Sequence, residues 1–238
     1  MSKAPDAIDK IVAYAGSTSK ADKITKSIGY GFAFLARVIE LYAKKPTRHS
    51  QGLSAVAGQI AYARYVTRFT GVFECLEALK NGSWVSAGDD EHLKKIVTLQ
   101  VYSMLLYYPL EHASFVGFVA PKWIPMDAGK LSRQSCMAWG AYVALDMYAI
   151  HKRLEMLNEQ ERQLSGKQVE GLSDDEHAAR HAAIDNKRWN LHVNQLRNML
   201  FLPLCIHWST EQGIMPEVVT QFLAFSEAVI GTWHTWPQ

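Results

Sequence analysis

From Asp6 to Trp233 the chain is interrupted at few places, and each interruption is a cluster of glycine, proline or small polar residues. Gly16, Pro46, Asn81-Gly82, the group Pro121, Pro125 and Gly129, and the pair Gly213 and Pro216 divide it into long segments. Within these, apolar residues recur at three- and four-residue intervals, and none alternates apolar with polar as a half-buried strand does. That punctuation predicts an all-α protein, a bundle of about seven helices. Asp6 is expected to cap a first helix that stops at Gly16. Further helices are expected over 20–43, 52–79, 91–119 and 130–164. Ser173 and Glu176 form a capping box for a sixth, running to Trp208, and the last spans 217–233. The polar stretch 165–175 reads as an exposed loop. Two regions follow: 1–82, which ends in an amphipathic helix near residues 53–80, and 91–238, which is apolar apart from that loop. The 238 residues, 48% of them apolar, suffice for one sizeable core or two small helical units. No repeat indicates a solenoid.

The formal net charge of +2 gives no footprint for a nucleic-acid partner. Its distribution is uneven: residues 1–80 carry twelve Lys or Arg against six Asp or Glu, and the remainder thirteen against seventeen. A basic N-terminal third suits an anionic membrane surface, and it also suits an ordinary solvated face. Cys75, Cys136 and Cys205 are odd in number and far apart, which fits a reducing compartment and argues against a disulfide scaffold or zinc site. The opening MSKAPDAIDK lacks the apolar core of a secretory signal, and the closing Trp-Pro-Gln is not a Ser-Lys-Leu address.

A membrane span needs about 20 consecutive apolar residues, and no window is clean. The stretch 98–119 holds Pro109, Glu111 and His112; 136–150 holds Asp146; 214–236 holds Glu217 and Glu227. Hydropathy therefore leaves two readings, apolar helices associated within a membrane or buried helices of a soluble bundle. Trp123, Trp208, Trp233 and Trp236, near helix ends, fit interfacial anchors and bundle caps alike.

The segment 59–80, QIAYARYVTRFTGVFECLEALK, carries the sharpest pattern. At 100° per residue Tyr62, Tyr65, Val66, Phe69, Val72, Phe73, Leu76 and Leu79 share one side. Arg64, Thr67, Gly71, Glu74 and Ala78 lie opposite, Arg68 sits at the edge, and Lys80 ends the stripe. Such a helix can lie among headgroups with its aromatics immersed by about 5–10 Å. The membrane-binding set is then the eight stripe residues with Arg64, Arg68 and Lys80. The same stripe also suits packing against a protein core.

Motifs for chemistry are missing: no Gly-x-Gly-x-x-Gly, P-loop, Gly-x-Ser-x-Gly or His-Glu-x-x-His occurs. His177 and His181 share a helix face, but in the most polar stretch of the chain, and read as hydrated surface. Glu111 and His112 are adjacent, so they cannot act as a pair on one ligand. No catalytic residue, metal or cofactor is expected.

Three stretches carry a family resemblance. The opening DAIDKIVAYAGSTSKADKITKSIGYGFAFLARVI, with Gly16, Asp22 and Lys23, resembles the start of the peroxin-11 proteins (peroxisomal biogenesis factor 11 family), although its turn is longer. YARYVTRFTGVFECLEALKNG resembles that family's Arg-x-x-x-Arg-x-Gly amphipathic segment through Arg64, Arg68 and Gly71, with one residue's slip at the glycine. The tail resembles the family's C-terminal region through Leu202, Pro203, His207, Trp208, Ser209, Gly213, Gly231 and Trp233. The nearest likeness is to the divergent fungal type. The resemblance implies a non-enzymatic protein of the peroxisomal membrane. Its implied role is to promote peroxisome elongation, proliferation and fission by bending an anionic phospholipid membrane with residues 59–80. It further implies a homo-oligomer and contact with the fission machinery, a dynamin-related GTPase and its adaptor. Two alternatives stand beside this: a pore or metabolite-transport component with Glu111, His112 and Asp146 lining a path, and a soluble helical-bundle binding protein.

Overall fold

Helix ends fall where local chemistry satisfies the backbone groups that a helix leaves unpaired. In the computed structural model, which describes residues 6–16, 18–166 and 173–236, Asp6 caps α1 (Ala7–Ala15) by accepting from the Ile8 and Asp9 N–H groups. α2 spans Thr18–Ala43. Thr47 and Ser50 form a capping box that opens α3 (Arg48–Thr67) ahead of the start expected at 52. A 3-10 turn, Arg68–Thr70, joins α3 to α4 (Gly71–Asn81), so the amphipathic segment is a rod of two helices rather than one. Gly82, at φ 69°, ends α4 in the left-handed conformation that glycine adopts without strain. Asp90 caps α5 (Glu91–Val119), and the Ser173–Glu176 box opens α7 (Asp174–Ser209) as the sequence predicts. α6 (Ala128–Gly166) and α8 (Glu217–His234) complete an all-α bundle, seven rods among the described residues when α3 and α4 count as one. Residues 167–172, most of the expected 165–175 loop, and the terminal tripeptide's Pro237 and Gln238 lie outside the described residues, as do residues 1–5.

The rods run alternately up and down and close on themselves. α2 packs on α3, α4 on α5, α5 on α6, α6 on α7, α7 on α8, and α8 returns to α2. The regions 1–82 and 91–238 are therefore in contact at two seams. At one, Phe34 of α2 meets Phe222 and Phe225 of α8, and Gly31 leaves room for the Phe225 ring. At the other, Gly71 of α4 lies under Tyr108 of α5, where a Cβ would overlap the ring. Apolar cores form in the wall between neighbours. One joins α4, α5 and α6 through Cys75, Val101, Met104, Tyr107 and Ala138. Another joins α6, α7 and α8 through Val143, Phe201, Leu204, Cys205 and Ala224. α1 is held by Tyr14, which is fully buried, its hydroxyl 2.6 Å from Thr235 Oγ1.

α6 and α7, of 39 and 36 residues, outrun the ring. At about 1.5 Å per residue each is over 50 Å long, whereas α8 has 18 residues. The ring's wall ends near Arg153, whose guanidinium grips Asp89 at 2.7 and 2.9 Å, and near Asn190, which meets His234. Beyond that level the two helices pair with each other, as through Arg188 and Glu161 at 2.5 Å.

Candidate membrane-facing stripe and ionic interior

On the α3–α4 rod, side-chain size decides which face turns inward. Arg64, Gly71, Cys75 and Ala78 are buried, and the last three are small enough for α5 to approach closely. The stripe is left on the outside. Tyr62, Val66, Phe69, Phe73, Leu76 and Leu79 are between 39% and 66% exposed, and Tyr65 and Val72 are half-buried. Some of this surface rests on neighbours: Tyr62 and Tyr65 lie against Phe115, and Phe69 stacks on the His112 ring at 3.9 Å. Lys80, at the end of the stripe, is exposed.

Arg64 and Arg68, read from the sequence as part of the membrane-binding set, lie opposite the stripe and at its edge, and both turn into the ring. Arg64 donates through Nε and Nη2 to Asp22 at 2.8 and 3.3 Å. Arg68 donates through Nε and Nη2 to Glu111 at 3.2 and 2.6 Å. A guanidinium removed from water requires a paired carboxylate, and α2 and α5 each supply one. The matched polar face is thus the inner face of the rod.

The carboxylates that spoil the apolar windows are partners in the same interior. Glu111 also accepts from Tyr107. Asp146 accepts from Gln100 at 3.0 Å and Asn198 at 2.6 Å. Glu227, 4% exposed, accepts from Lys26 and from Arg197 at 2.8 and 3.1 Å. Burial alone would raise the Glu227 carboxyl, but Lys26 and Arg197 hold it below the usual range. Glu217 stays exposed at the start of α8. The interruptions at Glu111, Asp146 and Glu227 were the signal for this interior, but their partners lie too far along the chain for local pattern to pair them. Asp22 carried only the signal of the family resemblance, and Tyr107 and Arg197 carried none.

Glu111 and His112 behave as their adjacency predicts. Glu111 points inward, and His112 lies on Phe69 with a buried Nε2 that has no hydrogen-bond partner among the described residues. His177 and His181 pack ring to ring at 4.7 Å, and no group of three metal-binding side chains occurs among the described residues. His207 has a structural role: its Nδ1 accepts from the Ile214 and Met215 N–H groups, and Gly213, at φ 68°, leaves room for the ring. That arrangement accounts for the pairing of the His-Trp-Ser stretch with the following glycine.

Among the described residues no helix is long and apolar enough to cross a membrane. The exterior nevertheless carries large apolar side chains around the ring, such as Leu35, Leu106, Met137, Met199, Phe222 and Val229. Tryptophans sit at both ends of the ring: Trp123 between α5 and α6 is 75% exposed, and Trp233 at the far end of α8 is 60% exposed.

The molecule is thus an all-α bundle that turns several ion pairs inward and leaves a number of large apolar side chains on its outside. It belongs to the peroxisomal biogenesis factor 11 family, whose model matches residues 8–236. Proteins of that family are peroxisomal, take part in peroxisome biogenesis and proliferation, and form no known enzyme family. The comparisons with curated proteins and with solved structures found no match.

Proposed function

We propose that the protein elongates and divides peroxisomes by pressing the α3–α4 stripe into the cytosolic or matrix face of an anionic peroxisomal membrane. The observation that carries this reading is the stripe itself, six large apolar side chains about half exposed along one rod. Each half-exposed side chain transferred into lipid gains about 1 kcal/mol, enough together to hold the rod at an interface without a lipid anchor. A wedge inserted into one leaflet expands it relative to the other, and the bilayer responds by bending. The exposed tryptophans at the ring's ends suit the headgroup level. Self-association through the apolar exterior and contact with a dynamin-related GTPase and its adaptor belong to the same proposal.

The test uses the full-length protein and liposomes containing anionic phospholipid. The double variant Phe69→Glu with Phe73→Glu gives up the Phe69 stack on His112 but no buried side chain; it should keep its helical circular dichroism and should lose vesicle tubulation. Tubulation that persists in this variant defeats the assignment.

A second reading, a solute-conducting component, is favoured by the ion-paired cavity inside an apolar-coated ring. Flux across planar bilayers measures it: the reading predicts conductance that changes in Glu111→Gln, and bending without any flux removes it.

A further inference from the structure

The interior cations outnumber their carboxylates. A cavity of about 230 Å³ at the centre of the ring is lined from α2 by Lys23 and Lys26, from the α3–α4 rod by Arg64 and Arg68, and from α7 by Arg197. Asp22 pairs with Arg64 and Glu111 with Arg68, whereas Lys26 and Arg197 share the single carboxylate of Glu227. Glu74 also lines the cavity, but its side chain is exposed and forms no ion pair among the described residues. The one described partner of the Lys23 ammonium is the Thr235 hydroxyl at 3.4 Å. Arg64 and Arg68 commit Nε and Nη2 to their carboxylates, and no described residue accepts from either Nη1. Charge drawn toward an interior is stable when it is matched, and of the five cations lining this cavity four pair, with three carboxylates.

We propose that this cavity binds a small anion bearing a phosphate or carboxylate group, held by Lys23, Lys26, Arg197 and the free edges of Arg64 and Arg68. The volume lies below the roughly 300–1,000 Å³ of pockets for drug-sized ligands, which suits an ion, a short phosphate ester or the headgroup of a lipid. Planar guanidinium edges and ammonium groups are the donors that recognise such oxygens. Burial and the charge of Arg197, with Lys20 and Lys26, lower the Lys23 ammonium from its ordinary range although Glu227 pulls the other way, and a bound anion would add to the Glu227 effect. The site is separate from the outer stripe and does not rest on the bending role.

The experiment uses the full-length protein in uncharged detergent micelles, with inorganic phosphate titrated at constant ionic strength against chloride. Phosphate should bind calorimetrically and raise the thermal unfolding midpoint. Lys23→Gln should weaken binding by about tenfold, the value of one charge-assisted contact, while Lys152→Gln, on α6 outside the cavity lining, leaves it unchanged. An independent readout needs no variant: phosphate should slow acetylation of Lys23 by acetic anhydride relative to Lys152, read by mass spectrometry. Flotation with phosphatidylcholine vesicles containing phosphatidic acid separates the two sources. Flotation that needs Lys23 and is competed by phosphate assigns a lipid headgroup, and phosphate binding without that competition assigns a free anion. Phe69→Glu with Phe73→Glu should retain phosphate binding. A protein that responds to phosphate no more than to chloride, with no protection of Lys23, overturns the site, as does binding undiminished in both Lys23→Gln and Lys26→Gln.

Discussion

Gly71 shows how much one missing carbon decides. Within a helix, alanine is normally preferred to glycine by about 1 kcal/mol. Here an added Cβ would enter the Tyr108 ring, and overpacking of that kind costs about 1–3 kcal/mol. Gly71→Ala should therefore lower stability in denaturant titrations, against the helix-propensity trend. Asp89 makes the complementary case for charge. Burial alone would raise its carboxyl, but the Arg153 guanidinium and the Ser86 N–H hold it below its ordinary range. A carboxylate with a depressed folded pKa stabilises fully above its unfolded value, about 4, and the contribution fades as pH falls through the folded value. The Asp89 side chain is 2% exposed, so Arg153→Met should cost about 3 kcal/mol at neutral pH. The gap between variant and wild type should narrow in unfolding titrations below about pH 4.

At the scale of elements, the rods divide into those that build the ring and those that extend beyond it. α6 past Gln160 and α7 before Lys187 lie beyond the ends of α5 and α8, and the groove at their root is lined by Ser86, Leu157 and Leu191. Replacing residues 162–186 with a short glycine-containing turn should leave the cooperative unfolding of the ring within a few degrees of wild type. It should remove helical circular dichroism in proportion to the residues lost; a collapse of the whole transition would show the hairpin to be part of the ring. The 3-10 turn at Arg68–Thr70 has the opposite character, since it lies in the wall. It falls just where Arg68 reaches Glu111, and the outward stripe continues on both sides of it.

At the scale of the whole molecule, closure depends on interior charge as well as on apolar seams. Glu227 draws α2 and α7 onto α8 through Lys26 and Arg197. Glu227→Gln leaves two part-buried cations without the buried carboxylate they share, and breaking a buried pair by removing one partner costs about 3–5 kcal/mol. The loss should be read as a lower denaturant midpoint for the entire ring rather than for α8 alone. Helix number, most boundaries, the cap at Asp6, the capping box at Ser173 and the composition of the stripe were legible in the sequence, because each depends on residues within a few turns of one another. The direction of the stripe's opposite face was not. Arg64 and Arg68 look like surface cations from their own neighbourhood, and only Asp22 and Glu111, 42 and 43 residues away, make them interior.

The sequence by itself determined that the chain is helical, where its rods begin and end, which residues share a side of each rod, and the family to which it is similar. The tertiary structure alone decided which side of each rod looks inward, that α8 closes back onto α2, and that charges scattered along the chain share one cavity. The reason is one of range. Helical period and capping arise from backbone hydrogen bonds between near neighbours. The sign of burial for a polar face is set by whether a distant rod brings it an opposite charge.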